Sequence, residues 1–422
     1  MTKPDQKRIA IEAIKKKLVG KKLNYAEIFA LMDEISNRRL GDVLTTYFAA
    51  AGFKEGFDDN ELYHLTKAMV ETGEKLKFNG IVADKHSTGG MAGTRTTMIL
   101  VPIIAAAGIK IPKNSSRAIT SASGTADTME VIAPVTFSPT QIKRIVEKVG
   151  GCIVWGGHLG LAPADDIIIQ VEEPLAFESF DKIIVSIMAK KVAVGATHLV
   201  LDLPTGPNMK IKHIKDAEVI EKKMVALGKK FKIKMTTDIS DNRQPVGRGI
   251  GPVLEVRDVF QVLEQKVDRP LKLEQKALRL SAKLLDLCFA DMKNTTYKTG
   301  MGETVARELL ANGKALTKMR EIIKAQGGDE TFSCASIQMP HHRYELKSHR
   351  RGRVVDLNNH DITVVARILG SPNDKKAGIY LERKLEDPVD AGDILCTLYA
   401  SDKWRLKEAV ETLKHVPIYN VE

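Results

Sequence analysis

Between about residues 75 and 263 the chain alternates short apolar runs with longer stretches of helical period. That alternation restricts it to a parallel α/β sheet, because parallel strands need crossovers of a dozen or more residues and helices fill them. The expected strands are 81–83, 109–111, 152–155, 167–171, 199–203 and 232–236. The expected helices are 94–107, 125–129, one opened by Glu178-Ser179-Phe180-Asp181 and ending near Lys191, 216–227 and 252–263. Ser138-Pro139-Thr140-Gln141 carries the Ser cap, the N1 proline and the Gln of a capping box, so it starts another helix.

Two consecutive units of this series carry unusual loops. The first, Asp84-Lys85-His86-Ser87-Thr88-Gly89-Gly90, places two glycines where backbone can approach a ligand closely. Lys85 adds a point charge, Ser87 and Thr88 add donors, and His86 stands among them. The helix that follows points its free N–H groups back at the loop. The second loop, 114–124, repeats the device with Ser115, Ser116, Arg117, Thr120, Ser121 and Ser123, and Thr125 opens the next helix. Ser, Thr and Gly also serve as plain loop and cap residues. The pairing of two such loops, with Lys85, His86 and Arg117 interleaved, points instead to an oxyanion cradle. It suits two anionic groups, or phosphate beside sugar hydroxyls. The spacing fits neither a P-loop nor the GxGxxG dinucleotide fingerprint.

Around this centre the pattern changes twice. Residues 1–73 read as a small all-α lobe, in which Lys15-Lys16-Lys17 is expected to be a solvated face. Residues 74–330 form the larger α/β lobe with a mixed or parallel sheet, and helices within 275–325 could rejoin the helical lobe. From 331 to 422 the chain is β-rich, with strands expected at 344–346, 353–357, 362–366, 378–381 and 394–398 and a closing helix at 401–413. That is a C-terminal α+β domain.

Charge and composition narrow the partners. Lys plus Arg number 64 against 53 Asp plus Glu, a net charge of +11, so the protein attracts anions. Aromatics are only 5% of residues, which leaves little surface for stacking bases, so small anionic substrates are expected and nucleic acid is not. No apolar run reaches the roughly 18 residues of a membrane span. The N-terminus lacks a secretory pattern. Cys152, Cys288, Cys334 and Cys396 lie far apart, which argues against a zinc site or disulfide framework and for a cytoplasmic setting.

The stretch 84–131 resembles the signature of the nucleoside phosphorylase-II family, which includes thymidine and pyrimidine-nucleoside phosphorylases. The version SSRAITSASGTADTMEV is similar to the AMP phosphorylase branch, and the likeness continues through WGGHLGLAPADD, SIMAKK and DLPTGPNMK. The resemblance implies a nucleoside 5′-monophosphate phosphorylase that turns AMP and phosphate into adenine and ribose 1,5-bisphosphate. It implies no metal or organic cofactor, with inorganic phosphate as co-substrate. Lys85, Ser87, Ser115 and Thr125 match positions that contact the attacking phosphate. Gly90, the run Ser116, Arg117, Ala118, Ile119, Thr120 and Ser121, and again Thr125 match AMP-contacting positions, as do Ser186 and Lys210; Lys190 belongs to the same SIMAKK motif. Arg117 or Lys210 would meet a 5′-phosphate. Glu178 occupies the place of the proton donor to the leaving base, with Lys85 and His86 as the other catalytic candidates. Two alternatives stay open there: Glu178 as a plain helix N-terminal acid, and Asp181 as the donor. Asp165 stands where pyrimidine-specific relatives carry an arginine, which favours adenine or cytosine over thymine. The expected assembly is a homodimer or larger homo-oligomer, although the archaeal branch has an extra N-terminal domain that does not precede the helical lobe here. The other functions in play are a thymidine or pyrimidine-nucleoside phosphorylase and a non-catalytic nucleotide-binding protein.

Overall fold

The computed structural model describes residues 3–118, 121–172, 179–207, 209–293 and 295–422. Its centre is a set of five parallel strands: β1 (Ala83–Ser87), β2 (Ile111–Ser115), β3 (Gly151–Trp155), β4 (His198–Thr205) and β5 (Lys234–Asp241). β4 lies between β1 and β5, and β2 pairs with β3. A single parallel bridge between Val82 and Lys110 joins the two groups, so the strands run in the order β3-β2-β1-β4-β5. All eight residues of β4 are buried, as befits a central strand covered on both faces. The helix Thr96–Ala106 is buried along almost its whole length and packs among the helices Leu271–Phe289 and Lys314–Ala325.

Strands β1, β2 and β5 sit further along the chain than their apolar runs suggest. β1 begins at Ala83, so Asp84, Lys85, His86 and Ser87 are strand residues and the loop proper starts at Thr88. β2 likewise takes Asn114 and Ser115. Pairing of Lys85 with Val200 and of Ser87 with Asp202 shows why: the ladder continues past the apolar residues into charged ones that are neutralised inside the fold. Two expected strands are helices. Residues 167–171 lie in the helix Pro163–Glu172, which starts with a proline and carries Asp165 and Asp166 in its first turn, at the positive end of the dipole. Residues 362–366 lie in the helix Asn359–Leu369, capped by Asn358, whose side chain accepts from the His360 and Asp361 amides. Its buried Ile362, Val365, Ala366 and Leu369 follow the helical spacing that a short β-branched run disguised.

The N-terminal lobe contains Tyr25–Ser36, Asp42–Glu55 and Asp59–Glu71, the first and last held by capping boxes from Asn24 and Asp58. The chain returns to this lobe through Pro163–Glu172 and Phe180–Ala193, which pack on it, while Gly302–Ala311 and Lys314–Ala325 pack on Thr96–Ala106. Lys17 is not solvated as expected. It is buried with Glu61 at 3.0 Å, and Glu61 also accepts from the Leu23 amide. The C-terminal strands Gly378–Leu381, Ile394–Ala400 and His342–Lys347 form an antiparallel sheet in that order, with Gly249–Ile250 of the α/β lobe added beside Gly378–Leu381. The core of the C-terminal domain also takes in Ala92 and Ala122, one from each loop of the α/β domain. Among the described residues, no helix is long and apolar enough to cross a membrane.

Candidate active site

In an open parallel sheet, ligands bind beyond the carboxyl ends of the strands where the strand order reverses. Here that point is the end of β1, between β2 and β4. The first loop leaves it through Gly89 (φ 76°), Gly90 (φ 102°) and Gly93 (φ 60°), conformations that side chains with a Cβ rarely adopt. The Thr88 amide donates to the Asp202 carbonyl of β4 at 3.2 Å, and the Gly89 amide to Ser87 Oγ at 3.3 Å. Gly90 lies against Met209 and Lys210: a Cβ there would stand 3.5 Å from the Lys210 amide nitrogen.

The second loop leaves the end of β2, beside the first. Asp127 ties its two ends together, accepting from the Ala118 amide at 2.7 Å and the Gly124 amide at 2.9 Å. A Cβ on Gly124 would fall 2.4 Å from the Arg117 carbonyl carbon, so close an approach admits only glycine. Ile119 and Thr120 lie outside the described residues. Arg117 is engaged by two carboxylates next to its own loop. Its guanidinium makes two bonds to Glu130, at 2.6 and 2.7 Å, and one to Asp127 at 3.1 Å, over the Trp155 ring.

One buried arginine joins the loops. Arg95, just before the helix Thr96–Ala106, pairs with Glu255 of the helix Pro252–Leu263 and donates to the Ser123 carbonyl. Thr128 Oγ1 completes the knot, donating to Glu255 at 2.9 Å. Beneath lies a cluster of buried charge. Lys191 Nζ is 2.6 Å from Asp84, and Lys113 Nζ is 3.6 Å from it. On the other face of β1, Lys85 Nζ lies 3.6 Å and Lys276 Nζ 3.2 Å from Asp202. Cations outnumber carboxylates, which suits an anion above them. Burial lowers the Lys85 pKa against the pull of Asp202, and burial brings Lys113 to about 7. Burial, then the surrounding lysines, push His86 well below the usual imidazole range, so it is neutral.

Three predicted residues meet at the helix Pro163–Glu172. Asp165 Oδ2 accepts from Ser186 Oγ at 2.7 Å and from Lys190 Nζ at 2.7 Å. Asp165 is fully buried, its Oδ2 orients Ser186 and Lys190, and its Oδ1 has no hydrogen-bond partner among the described residues. Glu178 lies outside the described residues. Its competitor Asp181 is committed: it accepts from the Phe57 amide at 2.9 Å and pairs with Lys223 at 2.6 Å, anchoring Phe180–Ala193 to the helical lobe. Among the described residues, no group of three or more His, Cys, Asp or Glu could hold a metal ion.

Three segments match known families: residues 11–73 the helical bundle domain and 79–316 the a/b domain of the glycosyl transferase family, and 353–419 the pyrimidine nucleoside phosphorylase C-terminal domain. The chain belongs to the pyrimidine-nucleoside phosphorylase family of glycosyl transferases. It is 42% identical to AMP phosphorylase 1 of Archaeoglobus fulgidus over 97% of this chain and 79% of the relative. It is 40% identical to a putative thymidine phosphorylase of Methylococcus capsulatus over 98% of this chain and 78% of the relative. The fold resembles that of anthranilate phosphoribosyltransferase from Thermus thermophilus, with a TM-score of 0.61 at 17% identity, covering 74% of this chain and 99% of that one.

Within this family member, the residues that sequence reasoning missed are supports: Arg95, Asp127, Asp202, Glu255 and Lys276. Asp127 acts locally, at the third position of its own helix, whereas Arg95, Asp202, Glu255 and Lys276 each acquire a partner from a distant segment. Among the described residues, three hydroxyls at the predicted cradle, Thr88 Oγ1, Thr96 Oγ1 and Ser115 Oγ, are buried without a hydrogen-bond partner. A buried unpaired hydroxyl costs about 1–3 kcal/mol. Ser115→Ala is therefore expected to leave stability unchanged or raise it by about 1 kcal/mol, while raising the KM for phosphate about tenfold. A thermal melt and initial rates at varied phosphate check this; a destabilised variant with normal phosphate KM refutes the assignment.

Proposed function

We propose that this phosphorylase-family protein is an AMP phosphorylase, converting AMP and inorganic phosphate to adenine and ribose 1,5-bisphosphate. The observation that carries the reading is the set of unpaired buried hydroxyls at the strand ends over a cation-rich floor, a place that suits a desolvated oxyanion. An oxygen of phosphate attacks the anomeric carbon, the glycosidic C–N bond breaks, and its electron pair leaves with the base. Lys85, Ser87, Ser115 and Thr125 hold the phosphate. Gly90, the loop 116–121, Ser186, Lys190 and Lys210 line the nucleotide side, and Lys210 takes the 5′-phosphate. Inorganic phosphate is the co-substrate, and no metal or organic cofactor enters the proposed steps. A homodimer or larger homo-oligomer is the proposed assembly; exposed Val43 and Tyr47 on Asp42–Glu55 offer apolar surface for it.

Glu178 is the proposed proton donor to the leaving adenine, since Asp181 is engaged elsewhere. Glu178→Gln is expected to lose about 10²–10⁴-fold in kcat with nucleotide affinity kept. Near-normal turnover would remove Glu178 from the mechanism.

One observation favours a second reading, a thymidine or pyrimidine-nucleoside phosphorylase. Ser186 spends its one hydroxyl proton on Asp165, whereas Lys190 spends one of three N–H donors there and keeps others that suit pyrimidine carbonyls. Phosphate-dependent base release from AMP, CMP, UMP, adenosine and thymidine decides between them. Release from thymidine and not from AMP overturns the proposal, and binding without release from any substrate would mean a nucleotide-binding protein.

A further inference from the structure

The C-terminal domain supplies no group to the proposed chemistry, yet one of its helices holds both loops. Asn359, the first residue of Asn359–Leu369, is buried and makes two bonds to the first loop. Its Nδ2 donates to the Gly90 carbonyl at 2.7 Å, and its Oδ1 accepts from the Ala92 amide at 3.0 Å. At the other end of the same helix, Arg367 reaches the Ser121 carbonyl of the second loop at 3.5 Å. Ala92 and Ala122, one residue beyond each of these contacts or within it, are buried in the core this helix builds.

The first loop needs such a hold. Gly89, Gly90 and Gly93 give it three left-handed positions within five residues, and glycine-rich backbone loses the most conformational freedom when fixed. One side-chain amide satisfies a carbonyl and an amide on the same turn, so it sets the turn's shape as well as its place. The turn it shapes is the one that rests against Met209 and Lys210.

We propose that Asn359 is a positioning residue for nucleotide binding: it locks the Gly90–Ala92 turn against Lys210, so that the C-terminal domain sets affinity for the nucleotide and not for phosphate. This rests on the reading of Gly90 and Lys210 as the nucleotide side of the site.

The test uses the full chain and two readouts. The first is the thermal shift produced by AMP alone and by inorganic phosphate alone, because a ligand that binds the folded state raises the melting temperature by mass action. The second is the KM for each substrate. Asn359→Ala is expected to need about tenfold more AMP for the same shift and to raise the AMP KM about tenfold, with the phosphate shift and phosphate KM within about twofold of the parent. Asn359→Asp keeps the acceptor for the Ala92 amide but sets an oxygen against the Gly90 carbonyl. It is expected to lose at least as much AMP affinity, and it serves if the alanine variant folds poorly. Val365→Ala, in the same helix but facing the domain core, is expected to lower the melting temperature and leave both KM values unchanged. Unchanged AMP affinity in both Asn359 variants overturns the inference, as does a loss shared equally by AMP and phosphate or matched by Val365→Ala. If AMP shifts the parent protein not at all, the functional reading fails first, and the inference with it.

Discussion

With alanine at position 85, phosphate-dependent base release is expected to fall by about 10²–10³-fold in kcat/KM for phosphate, with a smaller change for nucleotide. Lys85 is buried in the middle of β1, where its ammonium faces Asp202 from 3.6 Å. Burial lowers its pKa and Asp202 offsets part of that loss, in a site where water screens little. A cation fixed beforehand in such surroundings stabilises an entering oxyanion far more than one on the surface. The fold tolerates its loss, because Lys276 keeps Asp202 paired at 3.2 Å. Steady-state rates at varied phosphate provide the check. A Lys85→Ala protein with the parent's phosphate dependence would falsify the cradle itself.

The second large effect concerns stability. Glu255→Ala strands the buried Arg95 guanidinium without its carboxylate. Removing one partner of a buried ion pair costs about 3–5 kcal/mol. Here the loss also releases Thr128 and loosens the Ser123 carbonyl contact, so both loops come free together. Denaturant midpoints read the stability, and the KM values for AMP and phosphate are expected to rise in parallel. Glu255→Gln keeps hydrogen-bonding atoms and is expected to lose less. A loss under about 1 kcal/mol in the alanine variant would mean that Arg95 and Glu255 contribute no more than a surface pair.

Different residues hold the site and act in it. Ser115, Lys85 and Glu178 are read as groups that meet substrate. Arg95, Asp127, Glu255 and Asn359 hold loops and meet none of it. Asp165 holds Ser186 and Lys190 through one carboxylate oxygen, and Arg117 is paired with Glu130 and Asp127.

Local pattern determined much of this protein by itself. The alternation of apolar runs and helical segments is a near-neighbour property, and it specified a parallel sheet with loops at its carboxyl ends. Gly124 and Thr125 at the start of a helix, the Ser138 capping box and the helix Pro252–Leu263 needed no distant residue to be legible. The family signature in 84–131 is equally local. The tertiary structure alone decided which polar residues the fold would pair. Lys85 on a strand, Lys17 in a core and Asp165 beneath Ser186 are all choices made by partners far away in the chain. A charge can be buried only where an opposite charge arrives to meet it, and that meeting is a property of the folded chain as a whole.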